Sequence, residues 1–477
     1  MAMAPAGLNQ EELLKKAYAA HRAEEQAKDL SAVIARKLED LRYYDVTAME
    51  RAVAICSLGS SGSILLASYL DGHDDVVMLP TNRGSLIYQF LERYPSLSLR
   101  DKLIAYPVYF SLPGDDFFEG QFPIASAEYY AAVWALCEAY RNWPPQYLLS
   151  RRAFFQFLHV AYSLAVGRRP ANPHPLMVYA QHNWNATLAA HFVEDFPQAR
   201  FIHTVRDPIS TLDRSFAWWL ASGAELFPLG FQRNANFKHA IAAFVTTGAV
   251  ISIHTLIKKD QPHPAMESRT RGIRFEDLHN NTAETLVRLV GWLDLRYQSS
   301  LLESTFNGRP YVVERDGKVW SGPRPEQTVR SRRNVSFIDQ TLLFALLTEN
   351  FVAWNYPCPK GFRHALVRIL VYIAVFIKPM KIETIVARSI VKMRVLPSLR
   401  RGDFGCAAGY LFRLIGSRLA IMLLLGGELC KRLVLGKNVF NTQIIAPSES
   451  HARLVSLPEI GTPGAFQKSQ NESGSGH

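Results

Sequence analysis

Cysteine is scarce in this sequence, and its spacing excludes a structural metal site. The five cysteines are Cys56, Cys137, Cys358, Cys406 and Cys430. They are odd in number and far apart, and none belongs to a CxxC pair or to the Cys/His spacing of a zinc ligand set. The sequence therefore predicts no structural zinc and a reducing, cytoplasmic compartment.

Long uninterrupted hydrophobic runs are absent as well. Residues 364–377 are apolar over 14 positions but include Arg368, and residues 411–427 are interrupted by Arg413 and Arg418. A membrane-spanning helix needs about 20 predominantly apolar residues, so neither segment is predicted to span. The N-terminus also shows no apolar core of a secretory signal. We therefore expect these helices to lie peripherally at a membrane surface.

Acidic residues are few in one C-terminal segment. The 477-residue chain carries a net charge of +11. Between Lys360 and Lys437, 15 Lys or Arg stand against only Glu383, Asp403 and Glu428, a balance of +12, which leaves −1 for the rest of the chain. Because the cations alternate with apolar runs, the predicted partner of this segment is an anionic membrane surface and not nucleic acid.

Composition and pattern divide the chain into four parts. With 48% hydrophobic and 20% charged residues, most of it is globular and long enough for a large core. Apolar residues at three- and four-residue spacing predict one or two amphipathic helices in an N-terminal extension, residues 1–50. An α/β domain is predicted over 51–359, and a basic membrane-associating helical region over 360–440. Residues 441–477, rich in Ser, Gly, Pro and Asn, are predicted to be disordered.

Short apolar runs separated by helical patterns predict the α/β domain. The predicted strands are residues 53–58, 76–80, 177–181, 200–205 and 272–275. A helix at 63–70 follows the first strand, which gives the elementary unit of a parallel sheet. A helical, aromatic-rich insertion lies at about 85–170. It is a candidate lid over an acceptor, although aromatic residues at helical spacing are more often core.

A glycine-rich loop, Gly59-Ser60-Ser61-Gly62-Ser63, joins the first predicted strand to its helix. Backbone N–H groups, hydroxyls and the positive end of the helix dipole can surround one anion there. Small residues also suit any tight turn, so the loop alone leaves both interpretations open. A P-loop of the ATP-binding kind needs Lys and then Ser or Thr after the second glycine. Ser63 and Ile64 stand there, which disfavours a kinase.

A second anion site is indicated where another strand ends. The strand at 200–205 is followed by Arg206, Asp207 and Pro208. Asp207 is a natural N-cap and Pro208 a natural first helical residue. Open α/β sheets bind ligands at the carboxyl ends of their strands, and Arg206 is predicted to lie at that edge.

Three segments in this order resemble the sulfotransferases that use 3′-phosphoadenosine-5′-phosphosulfate (PAPS). They are ICSLGSSGSILLASYLDGHDDV (55–76), AQHNWNATLAAHFVEDFPQARFIHTVRDP (180–208) and IRFEDLHNNTAETLVRLVGWLDL (273–295). The resemblance extends over about residues 53–359. It implies a P-loop-like, three-layer α/β fold, an open and mainly parallel sheet with helices on both faces. It also implies transfer of a sulfuryl group from PAPS to a hydroxyl or amine, without a required metal.

The resemblance assigns nucleotide-binding roles to particular residues. Gly59, Ser60, Ser61, Gly62 and Ser63 would cradle the 5′-phosphosulfate. Arg206 would bind the 3′-phosphate. The family places a serine, as a second 3′-phosphate ligand, eight residues after this arginine. Arg214 stands there and Ser215 follows, so both are candidates, and they point about 100° apart on a helix. Arg332 and Arg333, in a basic stretch, would close over the nucleotide, or form a solvated charge run.

The sequence departs from the family at two catalytic positions. The family places Lys or Arg where Ser60 stands, so another cation, Arg83 or one of 330–333, would have to replace it. Some branches of the family carry a Glu as general base shortly after the second strand, where Leu79, Pro80 and Thr81 stand here. Others use a His at the end of the strand before the 3′-phosphate element, so the resemblance implies His182 as the general base, a role that suits a histidine with near-neutral pKa. A structural histidine that caps the next helix is the competing interpretation.

These features predict an enzyme at the cytoplasmic face of a membrane. It would move a sulfuryl group from PAPS to a hydroxyl of a glycan or lipid-linked acceptor. The alternative is a catalytically impaired, sulfotransferase-like binding or scaffold protein, which the loss of the loop cation at Ser60 makes credible. A P-loop kinase is less favoured. The sequence names neither the acceptor nor an oligomeric state.

Overall fold

A computed structural model gives the architecture of the chain. It describes residues 9–27, 30–57, 61–81, 83–110, 117–119, 121–181, 186–214, 268–315, 318–329, 333–435 and 443–445. The strands are β1 Ala52–Ser57, β2 Val76–Met78, β3 Leu176–Gln181, β4 Arg200–Val205, β5 Thr270–Arg274, β6 Thr305–Phe306, β7 Arg309–Pro310, β8 Val312–Arg315, β9 Lys318–Ser321 and β10 Gln443–Ile444.

Helices make up most of the remainder. They are α1 Gln10–Ala27, α2 Ser31–Leu41, α3 Ser63–Leu70, α4 Ile87–Arg93, α5 Leu99–Phe110, α6 Ser126–Ala139, α7 Pro145–Leu148, α8 Arg151–Ala165, α9 Ala186–Asp195, α10 at 208–214, α11 Phe275–Asn280, α12 Thr282–Trp292, α13 Phe337–Ala353, α14 Ala365–Ile377, α15 Lys381–Ile390, α16 Leu396–Arg400 and α17 Phe404–Leu435. A π-helical turn, Val391–Val395, joins α15 to α16.

A parallel sheet with the strand order β10-β5-β4-β1-β3-β2 forms the centre of the molecule. β1 lies between β3 and β4, with Ala54 beside Tyr179 and Ile55 beside Ile202. Every residue of β1 whose burial is described is buried, as expected for a strand covered on both faces. The predicted parallel α/β sheet is confirmed, and the predicted α3 begins and ends at the residues expected from the sequence.

Alternate residues of β1 face two different helical layers, because successive side chains of a strand point to opposite faces. Ala54 and Cys56 pack into a core shared with the helical insertion and α9. Val53 and Ile55 pack into a core formed with α3 and α12. The molecule therefore has the three-layer arrangement that the sequence predicts, with helices on both faces of the sheet.

The insertion carries an aromatic core instead of an open aromatic surface. Tyr88, Phe90, Tyr106, Tyr129 and Phe155 are all fully buried. Their rings contact one another edge to face or tilted, for example Phe90 against Tyr106 with centroids 5.4 Å apart. These side chains stabilise the fold. They are therefore core residues and not contacts for an acceptor.

The two N-terminal helices pack on this insertion. The buried Lys37 ammonium of α2 donates to the Leu164 carbonyl oxygen at 2.6 Å and pairs with Glu128 of α6, also at 2.6 Å. From α1, the Tyr18 hydroxyl donates to Asp101 of α5 at 2.5 Å. The predicted amphipathic extension is thus two helices that cover the domain itself.

The C-terminal helices share a core with α10. Val205 and Ile209, at and beyond the end of β4, belong to one buried cluster with residues of α13 and with Val375, Met422 and Leu425 of the C-terminal helices. Residues 360–435 therefore pack onto the α/β domain as a further helical layer. Within the described residues, no helix is both long and apolar enough to cross a membrane.

One sequence prediction is wrong at the C-terminal end. The composition predicts that residues 443–445 lie in a disordered tail that begins at 441. Gln443 and Ile444 instead pair in parallel with Arg271 and Gly272 of β5, and Ile445 is buried. A strand of two residues is too short to give a recognisable apolar pattern, so the composition of the surrounding segment determined the prediction.

Candidate functional site

The strand-to-helix turn after β1 is shaped for a close backbone approach. Gly62, the N-cap of α3, has φ +88°, a left-handed conformation that favours glycine. A Cβ at this position would lie 3.0 Å from Cδ2 of Phe275. The Ser61 hydroxyl lies 2.7 Å from the Thr204 hydroxyl of β4. This turn therefore presents the N-terminus of α3 beside the ends of β4 and β5.

Arg206 lies at the carboxyl end of β4, as predicted. Its guanidinium stacks on the ring of Phe275, 4.0 Å from the centroid, and donates to the Gln327 carbonyl oxygen at 2.9 Å. The Asp207 carboxylate accepts from the Ser210 N–H at 2.9 Å, which confirms the predicted helix cap. The sequence Arg-Asp-Pro thus holds a buried cation at the start of α10.

Glu276 and Asp277 fix the surroundings of Arg206. Glu276 accepts from the Tyr356 hydroxyl at 2.6 Å and from the Asp207 N–H at 3.2 Å. Burial raises the pKa of Glu276. Asp277 accepts both arms of the Arg274 guanidinium at 2.6 and 2.7 Å. The acidic pair therefore orients the strand end and the neighbouring arginine, which is a structural role.

A cleft of about 200 Å³ opens between these elements. It is bounded by the N-terminus of α3, the last described residue of α10, α11, the β8–β9 hairpin and the turn at Pro325–Thr328. The lining residues are Gly62, Ser63, Ile64, Leu65, Arg214, Phe275, His279, Tyr311, Val313, Trp320, Gly322, Arg324 and Gln327. Backbone N–H groups, arginines and aromatic rings therefore converge on one space.

The electrostatics of the cleft are those of an anion site. The pKa of His279 is lowered to about 4, first by burial and then by Arg324, Arg206 and Arg214. Its Nδ1 accepts from the Arg324 N–H at 2.8 Å, so the imidazole is neutral near pH 7. Arg214 and Arg324 line the cleft and Arg206 contacts its wall, and guanidinium groups of this kind favour a phosphate or sulfate ligand.

The structure brings part of the predicted nucleotide-binding set together. Gly62, Ser63 and Arg214 line the same cleft, and Arg206 contacts two of its lining residues, Phe275 and Gln327. Arg214 is half-buried in this lining, whereas Ser215, the other candidate for the second 3′-phosphate ligand, lies outside the described residues. Ser61 is buried against Thr204, directly below the turn.

Several predicted residues lie outside the described part of the chain. They are Gly59, Ser60, His182, Ser215 and Arg332. Their roles stay predictions.

Arg333 is described, and its side chain is exposed. Its carbonyl oxygen accepts from the Lys381 ammonium at 2.8 Å, and it is not part of the cleft lining. The next residue, Asn334, donates its N–H to Asp213, the neighbour of Arg214. Asn334 therefore lies beside the described part of α10.

Arg83, a candidate replacement for the missing loop cation, forms its hydrogen bonds within the insertion. It donates to the Tyr162 hydroxyl at 2.7 Å and to the Glu119 carbonyl oxygen at 2.9 Å. The guanidinium also lies 5.9 Å from the ring centroid of Phe117. Its side chain therefore stabilises the insertion and does not reach into the cleft.

Sequence reasoning missed the wall of the cleft that follows residue 300. Trp320 and Arg324, which lie 5.2 Å apart from ring centroid to guanidinium carbon, belong to this wall together with Tyr311 and Gln327. The Asp-Gly pair at 316–317 is a hairpin-turn signal that could have revealed β8 and β9. In the described residues, no group of three His, Cys, Asp or Glu is placed to hold a metal ion.

Comparison with known proteins assigns the family. Among solved structures, the chain is similar to the "Sulfotransferase Domain from the Curacin Biosynthetic Pathway", with 15% identity, a TM-score of 0.35, and coverage of 65% of this chain and 99% of that chain. A search of curated proteins finds no match. A family model described as "Sulfotransferase family" matches residues 52–299, more than half of the chain. Because the matched range contains the loop after β1, the Arg206 strand end and α11, the chain belongs to the sulfotransferase family.

Proposed function

We propose that this protein transfers a sulfuryl group from PAPS to a hydroxyl of an acceptor. The observation that carries the proposal is the cleft itself, which is lined by the N-terminus of α3, Arg214 and Arg324, with Arg206 stacked on its lining residue Phe275. PAPS carries a phosphosulfate at one end of its ribose and a phosphate at the other, so its binding requires two anion sites that are close together. We assign one of them to the turn before Ser63 and the other to Arg206 together with Arg214 of α10.

Each part of the nucleotide has a matching element. The N–H groups at Gly62 and Ser63, with the dipole of α3, suit the 5′-phosphosulfate. Arg206 and Arg214 suit the 3′-phosphate, which a guanidinium binds in a forked arrangement. Aromatic rings of the same cleft, Tyr311 and Trp320, offer a face on which the purine can stack.

The chemistry is an in-line displacement at sulfur. The acceptor oxygen forms a new bond to sulfur, and the bond from sulfur to the bridging phosphate oxygen breaks with its electron pair, so that the nucleotide bisphosphate leaves. Fixed cations stabilise the negative charge on that leaving group. The acceptor proton goes to a base, for which His182 is proposed on the sequence alone.

The proposed acceptor is a hydroxyl of a glycan or of a lipid-linked molecule at a membrane surface. It is supported by the concentration of positive charge in residues 360–437 and by the amphipathic helices α14 and α17. The scaffold alternative is favoured by one observation: Ser60 replaces the family's loop cation, and Arg83 is held in the insertion. Binding of PAPS without turnover would identify that alternative.

The test is a calorimetric titration with 3′-phosphoadenosine-5′-phosphate (PAP), beside ATP. We expect tight binding of PAP, at least tenfold weaker binding in Arg214→Ala, and a loss in Arg206→Lys, which keeps the charge but not the fork. Arg141→Ala, at an exposed arginine that pairs only locally with Glu138, is the matched control and should bind PAP normally. Absence of PAP binding in the wild-type protein would contradict the proposal.

Transfer of labelled sulfate from PAPS then separates enzyme from scaffold. A panel of glycan and lipid-linked hydroxyl acceptors is incubated with wild-type protein and with His182→Ala. Turnover that is lost in the variant, while its PAP affinity is unchanged, supports the enzyme and its base. PAP binding without turnover on any acceptor of the panel supports the scaffold.

A further inference from the structure

The outward side of α14 is an unbroken apolar stripe. Its exposed side chains are Leu366, Ile369, Leu370, Ile373 and Ile377, which are 41–79% accessible to solvent. They recur at three- and four-residue spacing and therefore lie on one side of the helix. The opposite side, which includes the fully buried Val375, faces the core that α14 shares with α10 and α13.

A second stripe lies on α17, which packs antiparallel to α14. The Tyr372 hydroxyl donates to the Met422 carbonyl oxygen at 2.9 Å, and Arg418 donates to the Val375 carbonyl oxygen. The exposed large apolar side chains of α17 are Phe404, Leu411, Phe412, Ile415, Leu419, Leu423 and Val434. Since both helices turn their inner sides to the same core, the two stripes form one surface, which we call the C-terminal apolar face.

Of the three arginines that interrupt these apolar runs in the sequence, Arg368 and Arg418 turn away from the face, whereas Arg413 is exposed. Arg368 is buried and donates to the Ala345 carbonyl oxygen and to Glu349, both at 2.6 Å. Arg418 points to Glu383 of α15 and pairs with it at 2.5 Å. Both charges are therefore neutralised on the inner side of the helix pair, and the outer side is more apolar than its sequence suggests.

The helical region that forms the C-terminal apolar face also exposes cations. Those with exposed side chains are Lys360, Arg363, Lys378, Arg388, Lys392, Arg400, Arg401 and Arg413. Within the part of the chain that the structure describes, none of these eight forms an ion pair. Lys360 and Arg363 precede α14 and Lys378 follows it, so each end of this helix carries positive charge. Long basic side chains at the ends of an apolar stripe can extend to polar groups beside it.

We propose that the C-terminal apolar face docks on an anionic lipid bilayer, with both helices lying in the interface. An exposed apolar surface of this extent marks an interaction site. The exposed, unneutralised cations of the same helical region match the negative potential of acidic headgroups. The helices do not span: no described helix is long and apolar enough to cross a membrane.

Docking places the nucleotide cleft close to the bilayer. The inner sides of α14 and α17 fill the same core as Ile209 and Leu212 of α10, and α10 carries Arg214 into the cleft. A rigid core therefore connects the lipid-facing helices to the proposed 3′-phosphate site. That an acceptor in the bilayer is thereby presented for sulfation rests on the proposed function, whereas lipid binding itself does not.

The test is flotation of the full chain with phosphatidylcholine vesicles and with vesicles that also contain phosphatidylserine. We expect flotation only with the second kind, and its loss at high salt. The variant Leu370→Glu/Ile373→Glu should no longer float. The matched control is Leu149→Glu: Leu149 is 51% exposed, against 56% and 49% for the two test residues, but lies in the insertion. Its flotation should equal that of the wild-type protein.

A second variant tests the cations. Lys378→Gln/Arg388→Gln/Arg413→Gln should bind the anionic vesicles about a hundredfold more weakly, since each basic residue near an anionic surface contributes about fivefold. Calorimetry with PAP on each variant shows whether the fold is intact, independently of lipid.

Three results would overturn the docking proposal. They are no flotation of the wild-type chain with anionic vesicles, equal flotation of the Leu370/Ile373 variant, and sedimentation of the wild-type chain without lipid as a dimer that this variant converts to a monomer. The last would assign the face to a second copy of the chain. Failure of PAP to bind while lipid binding persists would reject the proposed function and leave the docking proposal standing.

Discussion

Gly62 combines two constraints that act through different physics. Its φ of +88° lies where a side chain costs about 1–2 kcal/mol, and a Cβ there would meet Phe275 at 3.0 Å. The first constraint is conformational and local. The second is steric, and it couples the turn to the residue on which Arg206 stacks. A substitution at Gly62 should therefore disturb both proposed anion sites.

We predict that Gly62→Ala binds PAP at least tenfold more weakly than the wild-type protein. The methyl group pushes Phe275 away from the turn, and Arg206 loses the ring that supports its guanidinium. Isothermal titration calorimetry with PAP measures the effect. Gly167→Ala is the control, because Gly167 also has a positive φ, +73°, but a Cβ there meets nothing within 4 Å. Equal PAP affinities in the two variants would show that the Phe275 contact is unimportant.

Residues of the site could be predicted from the sequence where they belong to a local sequence pattern. Arg206 was predictable because Asp207 and Pro208 mark a helix start directly after an apolar strand. His279, Trp320 and Arg324 were not, because no local pattern places them beside residue 62. They reach the cleft only when the sheet and the β8–β9 hairpin are assembled. Because these residues are far from residue 62 in the sequence, the periodicity of the sequence does not predict this contact.

At the scale of elements, α10 is held from two sides. Its N-terminus is capped by Asp207, and its apolar residues Ile209 and Leu212 pack against the C-terminal helices. The position of Arg214 in the cleft therefore depends on side chains more than 200 residues later in the chain, such as Leu425. A cavity in that core should affect nucleotide binding as well as stability.

Two neighbouring leucines of α17 test this dependence. Leu425→Ala removes a fully buried side chain, and we predict a loss of about 2–5 kcal/mol in the free energy of unfolding together with weaker PAP binding. Leu423 is 76% exposed on the same helix, so Leu423→Ala should change stability by less than about 0.5 kcal/mol. Denaturant unfolding and PAP calorimetry measure both quantities. A stability loss in Leu425→Ala without any change in PAP affinity would show that nucleotide binding does not depend on this core.

The sequence predicts elements well where the pattern is long and uninterrupted. The apolar runs before residues 58 and 206 gave the positions of β1 and β4, because strands buried on both faces carry no polar alternation. The helix predicted at 411–427 is longer, Phe404–Leu435. Arg413 and Arg418 interrupt the apolar run, but they do not end the helix, because arginine is a good helix former.

For the whole molecule, charge and packing divide the chain differently. The concentration of cations after residue 360 suggested a separate membrane-associating region. The structure packs that region onto the α/β domain through Val375, Met380, Met422, Leu425 and Leu429. Charge reports what a segment presents to its surroundings, whereas domain boundaries depend on which apolar side chains share a core. Sequence composition alone does not contain the second kind of information.

A chain that ends at Pro359 tests this arrangement. It removes the C-terminal side chains of the shared core, each of which contributes about 1.5–3 kcal/mol on burial, and their sum reaches the total stability of about 5–15 kcal/mol that is usual for a domain. We therefore predict that the shortened chain unfolds at a lower temperature and fails to bind PAP, because α10 loses its support. Circular dichroism during heating and PAP calorimetry measure the two effects. A chain that ends at Leu435 keeps every one of these side chains and should retain PAP binding. If the shortened chain at Pro359 instead melts at the wild-type temperature and binds PAP normally, residues 360–435 are an independent attachment after all, as their charge alone suggests.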